Sequence, residues 1–287
     1  MKIAITGTAG VLGGEVASQL CAQGKQELRL VDRAPIQGGG DAECLQADLS
    51  LYDQAKRAVS GADVVMHCAA VHPWKPYTDD QYLDLNAKGT HHLLKACVET
   101  GVPRVIYTSS IAAVGYGRNP DELPLTEHVD RRPDEIYGMS KLVGELFCEM
   151  FSRSHGLHVI MLRPPCFIPR ADDAFGALLL GGAYGHFSDV AQAHVLALDR
   201  PDIRCDAFYC TSPVPYTRDD AAELASDPRS VYCRYFPQAR DYIMAQPETA
   251  RPVGVFYDTT RAQRELGYQP RVGFASWFAE RQAAGGR

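Results

Sequence analysis

The sequence predicts an α/β protein in which a doubly wound parallel sheet carries a small C-terminal substrate lobe. Three observations predict it. Apolar strand-like runs alternate with amphipathic helical stretches through the first 164 residues, the pattern of a parallel sheet covered by helices on both faces. The first strand runs directly into Gly7-Thr-Ala-Gly10-Val-Leu-Gly13. A turn of this kind brings backbone close to a pyrophosphate because glycine has no Cβ, and it aims the unpaired N–H groups of the next helix at the negative charge. The second strand, 27–31, is followed by Asp32, where such a unit places the acid that accepts hydrogen bonds from an adenosine ribose. Together these features describe a Rossmann-type dinucleotide-binding unit.

Bulk properties narrow the function classes. A chain of 287 residues holds one large domain, or a nucleotide domain with a small cap, and buries a sizeable core. A net charge of −6 provides no electrostatic footprint for nucleic acid or an anionic membrane. Met1 leads straight into the first strand, which leaves no room for a signal peptide, and no apolar run is long enough to span a bilayer. The expectation is a cytoplasmic protein. The nine cysteines are scattered without a C-x-x-C pair, and Cys205 and Cys210, the nearest two, lack partners of zinc-site type. They are expected to be reduced and buried, with no metal. Cys166 stands apart, because it falls in a loop of the expected active site.

Taken in order, the first strand and turn give Gly7, Ala9, Gly10, Val11, Leu12 and Gly13 as cofactor contacts, with a helix over 11–23. Asp32 favours NAD, since a carboxylate repels a 2′-phosphate, although Arg33 beside it offsets part of that repulsion. The next strand, 44–49, contains Asp48 and Leu49. Asp48 either meets the adenine edge or caps a helix over 51–59. A fourth strand over 63–68 ends at Cys68, and the small Ala69 and Ala70 leave room for a dinucleotide crossing the sheet. An irregular loop over 72–77 contains His72 and Trp74; it lines a pocket, or the histidine beside proline is structural.

A helix over 82–100 carries Asn86. Strand 104–109 follows, then a loop over 115–133, a helix over 136–154, a strand over 157–162 and a proline-stiffened loop over 163–170. Helix 189–198 comes next. From Asp206 the pattern loosens into short strands, a helix over 218–225 and a closing pair over 259–266 and 274–282. The expected division is a nucleotide-binding domain over 1–164 and a smaller substrate lobe over 165–287, interleaved with the last strands of the sheet.

The chemistry is concentrated in Tyr137-Gly-Met-Ser-Lys141. Four residues apart on a helix, phenol and ammonium lie on one face, so the cation favours the phenolate and lowers the tyrosine pKa. A tyrosine tuned in this way exchanges a proton with a hydroxyl or carbonyl near neutral pH. The alternative is an ordinary Tyr–Lys pair on a solvated helix face. Its position after the glycine turn and after a strand ending in Thr108-Ser109-Ser110 favours the catalytic reading.

With these residues in view, the sequence resembles the extended short-chain dehydrogenase/reductase family, which includes NAD-dependent epimerases and dehydratases. The resemblance rests on the glycine turn, Asp32, Asp48-Leu49, His67-Cys-Ala-Ala70, Asn86 with Gly89-Thr90, Tyr107-Thr-Ser-Ser110, the Tyr137 motif with Gly144-Glu145, Leu162-Arg-Pro164, Ser188-Asp-Val-Ala191 and Arg264-Glu-Leu-Gly-Tyr268-Gln-Pro270. It implies Tyr137 as general acid/base, Lys141 as the residue that holds the nicotinamide ribose and lowers the Tyr137 pKa, and Ser110 as hydrogen-bond partner of the reacting oxygen. Asn86 would steady the site or be a buried structural residue.

The resemblance adds Thr108, Ser109 and Pro164 to the cofactor contacts. The candidate substrate contacts are His72, Ser110, Ile111, Cys166 and Arg170, the last either clamping a carboxylate with its bidentate guanidinium or lying solvated on its loop. The resemblance further implies a homodimer through helices 82–100 and 136–154, whose faces carry Leu93, Leu94, Leu146 and Phe147, unless these belong to the core.

Ser110-Ile111-Ala112 departs from the acidic pair of 4,6-dehydratases. The stretch between Pro164 and Asp189 is short, with a glycine-rich link over 176–185, which would leave a sugar-nucleotide pocket without much of its wall. The short form is similar to uronate dehydrogenases, although Ile111 and Ala112 stand where that group has an Asn-His pair. The expected function is an NAD-dependent oxidoreductase acting on a hydroxyl or carbonyl of a small polar substrate: a sugar, a sugar acid or a cyclitol-like molecule. The alternatives are a sugar-nucleotide 4-epimerase, which would show no net NADH, and a catalytically silent NAD-sensing protein.

Overall fold

The computed structural model describes residues 1–170, 172 and 174–285. Seven parallel strands form one sheet in the order β3-β2-β1-β4-β5-β6-β7. They are β1 (Lys2–Thr6), β2 (Glu27–Asp32), β3 (Glu43–Gln46), β4 (Val64–His67), β5 (Arg104–Thr108), β6 (His158–Arg163) and β7 (Cys205–Tyr209). Every residue of β4 and β5 is buried, as expected of central strands covered on both faces. The chain winds outward from β1 to β3 and then returns to start β4 on the other side of β1. The crevice above the carboxyl ends of β1 and β4 is therefore the switch point of the sheet, where ligands of doubly wound folds bind.

One face is covered by α1 (Val11–Gln23), α7 (Phe187–Ala197) and α11 (Thr260–Leu266). The other is covered by α2 (Tyr52–Val59), α4 (Gly89–Thr100) and α5 (Ile136–His155). The expected helix over 82–100 is interrupted. A short α3 (Asp79–Tyr82) passes through a π-helical turn, Leu83–Lys88, before α4 begins. Leu93 and Leu94 are buried in the core beneath α4, whereas Leu146 is exposed and Phe147 is only partly buried.

The remaining helices are α6 (Ala174–Leu180), α8 (Ala221–Ser226), α9 (Pro228–Tyr235), α10 (Arg240–Ala245) and α12 (Phe274–Ala283). With Ile111, Val114, Leu123 and Leu125 from the loop after β5, they enclose a third apolar cluster, which also includes Tyr209, Phe256 and Phe274.

Four expectations are corrected. The third strand ends at Gln46, so Asp48 lies beyond it. The region after β7 is helical, where short strands were expected, because α9 opens on a Pro at its first position and on the Asp227 carboxylate that caps it. The first half of the glycine-rich stretch over 176–185 is the end of α6; a Cβ on Gly176 would overlap the Trp277 ring, so this glycine serves close packing. The cysteines are all free, but Cys21 and Cys44 are exposed, while Cys97, Cys148 and Cys210 are buried.

Beneath the carboxyl ends of β5 and β6 lies a fully buried carboxylate, Glu145 of α5. It accepts hydrogen bonds from Ser109 Oγ at 2.6 Å, from Arg163 Nε and Nη2 at 2.8 Å each and from Arg131 Nη1 at 3.0 Å. Burial, the largest influence, would raise its pKa, but Arg163 together with the hydrogen bonds from Ser109 and Arg131 holds it below the usual carboxylate value. Removing this acceptor strands the buried Arg163 charge. Glu145→Ala is expected to destabilise the fold by about 3–5 kcal/mol, read as a lowered midpoint of urea unfolding.

Candidate active site

Positive φ at Gly7 (77°) lets the chain leave β1 and pass against β4, and a Cβ there would lie 2.7 Å from Ala69 N. A Cβ on Gly13 would collide with the Gly7 carbonyl oxygen. This close approach is what the glycines permit. Among the described residues no side chain caps the N-terminus of α1, so its first N–H groups face the crevice. At the end of β2 the two Asp32 oxygens accept the N–H groups of Ala9 (3.0 Å) and Ala34 (2.8 Å), which fixes the carboxylate beside the turn. Asp48 Oδ1 accepts Ser50 N at 2.9 Å and does not cap α2, whose N-cap position is Leu51.

A single cavity of about 600 Å³ runs from this turn across the strand ends to Tyr137. Gly7, Ala9, Gly10, Val11, Leu12, Gly13, Asp32, Arg33, Asp48 and Leu49 line it at one end. Cys68, Ala69, Ala70, Thr108, Ser109, Pro164 and Lys141 line its middle, and Ser110, Ile111, Tyr137, His72 and Cys166 complete the wall. Two expected site residues are absent from this wall. Asn86, in the π-helical turn, instead fixes two flanking elements: its amide binds both Val71 N (2.8 Å) and Val71 O (2.9 Å) and donates to Ser140 Oγ at 3.0 Å. Arg170 is exposed and doubly bonded to Asp172, with Nε–Oδ1 at 3.1 Å.

The Ser110 hydroxyl acts on the Tyr137 phenol, and its Oγ accepts Ala112 N at 3.1 Å. The expected lowering of the tyrosine pKa by Lys141 is not what the structure shows. Burial pushes the Tyr137 phenol up to about 12, the Ser110 hydrogen bond opposes this, and the Glu135 carboxylate adds to it. Lys141, 3% exposed, donates to the Thr108 carbonyl at 2.9 Å and lies over the Tyr107 ring at 5.3 Å. Loss of water lowers its own pKa to about 8. The shared helix face is as expected, but the ammonium is directed under the end of β5.

The wall also contains residues that the motif reading did not assign: Lys75 and Tyr77 from the 72–77 loop, Tyr116, and Pro165, Phe167 and Ile168 after β6. The placement of Tyr116 was signalled by the serine-to-glycine spacing that ends at Gly115, whose φ of 91° turns the chain back toward the cavity.

Residues 3–169 match the model of the NAD dependent epimerase/dehydratase family. The chain belongs to that family. Among its relatives, a uronate dehydrogenase of Pseudomonas syringae pv. tomato is 29% identical over 213 residues, covering 74% of each chain. The 3 beta-hydroxysteroid dehydrogenase/Delta 5-->4-isomerase of vaccinia virus is 34% identical over 151 residues, which is 50% of this chain and 44% of the viral one. The match thus spans less than half of the viral protein. In fold, the chain resembles a short-chain dehydrogenase/reductase superfamily protein from Agrobacterium tumefaciens with bound NAD, at a TM-score of 0.75 and 20% identity over 99% of this chain and 97% of the other.

Members of the family depend on NAD, and this cavity fits that cofactor. The uncapped start of α1 behind a glycine cradle suits a pyrophosphate, and Asp32 suits a ribose diol. Among the described residues no helix is long and apolar enough to cross a membrane, and no group of three or more His, Cys, Asp or Glu side chains is arranged to hold a metal.

Two outcomes follow from this geometry. Gly13→Ala forces backbone apart at the cradle and is expected to weaken NAD binding at least about tenfold, measured by calorimetry, since overpacking of this kind costs ~1–3 kcal/mol. Lys141→Met is expected to stabilise the NAD-free protein at neutral pH. The folded-state pKa of Lys141, about 8, lies below the ordinary lysine value of 10.5. The cost of burying the charge is therefore present in full below about 8 and is relieved as pH rises toward 10.5. The gain is at most about 3 kcal/mol, less the lost bond to Thr108, and disappears in thermal melts at high pH.

Proposed function

We propose that the chain is an NAD-dependent oxidoreductase that interconverts a hydroxyl and a carbonyl, with Tyr137 as general acid/base. The observation that supports this most directly is that Tyr137, Ser110 and Lys141 line the same cavity as the glycine turn and Asp32, so a substrate oxygen and the reactive end of a dinucleotide can share one space. NAD, when bound, takes up the hydride from the substrate C–H bond, or as NADH returns it.

In the reduction direction the Tyr137 phenol, kept protonated by its burial, gives its Oη proton to the carbonyl oxygen as hydride reaches the carbon and is left as phenolate; in the oxidation direction that phenolate takes the O–H proton back as the C–H electron pair departs. Ser110 Oγ accepts the Ala112 N–H, and its own proton, which acts on the Tyr137 phenol, would turn to the reacting oxygen once substrate is bound. Lys141, which donates to the Thr108 carbonyl, holds the floor beside the phenol and is in place for a ribose hydroxyl. Asn86 acts as a positioning residue, tying the loop after β4 to Ser140 on the helix that carries Tyr137. The uronate dehydrogenase relative supports sugars, sugar acids and cyclitols as first compounds to offer.

The test is net NADH formation with NAD and a panel of free sugars, uronic acids, cyclitols, neutral alcohols and UDP-sugars. Turnover that falls about a hundredfold or more in Tyr137→Phe is expected, in line with a general acid/base contribution of ~10²–10⁴. Conversion of a UDP-sugar to its epimer without net NADH would overturn this in favour of an epimerase. Binding of NAD with no turnover of any compound would favour a silent NAD-sensing protein.

A further inference from the structure

Beyond Ser110 and Tyr137 the cavity wall changes character. It is formed by Ile111, Tyr116, Trp74, Pro165, Phe167 and Ile168. Ile111 is 2% exposed, whereas Trp74 and Tyr116 leave 54% and 38% of their surface uncovered. Bulky aromatic surface left open around a concave site marks a place that a ligand covers.

The charges are arranged against an anion. Among the described residues the cations of the wall are Arg33, Lys75 and Lys141. Arg33 stands beside Asp32 with Nη2 3.4 Å from Tyr77 Oη, Lys141 is bonded to Thr108 O, and Lys75 is on an exposed stretch of the 72–77 loop. Arg170, the guanidinium suited to clamp a carboxylate, is bonded to Asp172 outside the wall. Carboxylates, by contrast, stand close behind it. Tyr116 N donates to Asp134 Oδ2 at 2.7 Å, and the charge of Glu135 acts on both Tyr116 and Tyr137. A substrate carboxylate here would lie near two acids, and the buried cation of the wall, Lys141, already donates to Thr108 O. The polar side-chain groups at this end besides the catalytic pair are the His72 ring, the Trp74 indole N–H, the Lys75 ammonium, the Tyr116 phenol and the Cys166 thiol; none is a carboxylate or amide of the kind that pairs neighbouring hydroxyls on a free sugar.

We infer that the substrate is an uncharged secondary alcohol, or its ketone, whose far side is an apolar ring-sized group packed among Ile111, Tyr116, Trp74 and Pro165. This rests on the hydroxyl/carbonyl chemistry proposed for Tyr137 and adds the class of molecule on which that chemistry acts.

The test compares trans-4-phenylcyclohexanol, trans-4-hydroxycyclohexanecarboxylate and glucuronate as NAD-dependent substrates. The two matching cyclohexanones are also titrated into the Tyr137→Phe protein with NADH, with tryptophan fluorescence as the readout. The phenyl compound is expected to lead by at least about tenfold in kcat/KM, and its ketone by a similar factor in Kd. The associated quenching should be lost in Trp74→Phe. A preference for either acid, most tellingly one abolished by Lys75→Ala, overturns the inference, as does failure of both ketones to bind. The two readings fail separately. A uronate oxidised in a Tyr137-dependent way leaves the catalytic assignment standing and removes the substrate class, whereas turnover of the phenyl compound that survives in Tyr137→Phe does the reverse.

Discussion

The buried carboxylate of Glu145 sets the geometry on which the site depends. Tyr137, Lys141 and Glu145 are spaced by four residues along α5, so they rise on one helix face in successive turns. Glu145 is bonded to Arg163 at the end of β6 and to Ser109 at the end of β5, and Ser109 precedes Ser110 in the chain. Both the phenol and the serine hydroxyl are thus referenced to one fixed point. A buried ion pair is a weak source of net stability, because desolvation takes back much of what attraction provides. Its contribution here is registry: it fixes how α5 is rotated and how far it has slid along the sheet.

The same burial tunes the titrating groups. Loss of water moves Lys141 down to about 8, Tyr137 up to about 12 and His67 down to about 3, each toward its neutral form. The His67 ring answers with hydrogen bonds to Thr6 Oγ1 at 2.9 Å and Thr90 Oγ1 at 3.1 Å, which join β1, β4 and the start of α4 beneath the crevice. The floor of the cavity is therefore held by neutral or paired groups.

How much of this was legible in the sequence follows from the range of the interactions involved. The parallel sheet could be read because buried strands leave unbroken apolar runs and the turn after β1 requires glycines that local sequence displays. The glycine turn and Asp32 that line one end of the cavity were legible for the same reason. What could not be read depends on distant partners or on neighbours of the wrong kind. Gly176 looks like part of a flexible link, yet it is a helical residue whose missing Cβ makes room for Trp277, about a hundred residues away in the chain. Arg170 looks available until Asp172 takes its guanidinium. Asn86 has the composition of a site residue, but the π-helical turn directs its amide to Val71 and Ser140. The four-residue spacing of Tyr137 and Lys141 specifies a shared face and leaves open where on that face the ammonium finds its acceptor.

The acidic pair in front of α5 links local structure to selectivity. Tyr137 sits in the first turn of α5, where the aligned peptide dipoles place positive potential. Alone, that potential would favour a phenolate and would also draw an anionic substrate toward the site. Asp134 and Glu135 stand immediately before the helix, and the Glu135 charge is felt at the Tyr137 phenol. Carboxylates at a helix start stabilise the helix by the same interaction with the dipole, so in holding α5 together they also cancel the field that an anion would seek. Burial raises the pKa of Glu135 itself, and the neighbouring Asp134 raises it further, so this exposed corner is already crowded with negative charge. A neutral ligand incurs no repulsion there, and the aromatic wall beyond it receives the apolar surface that such a ligand brings.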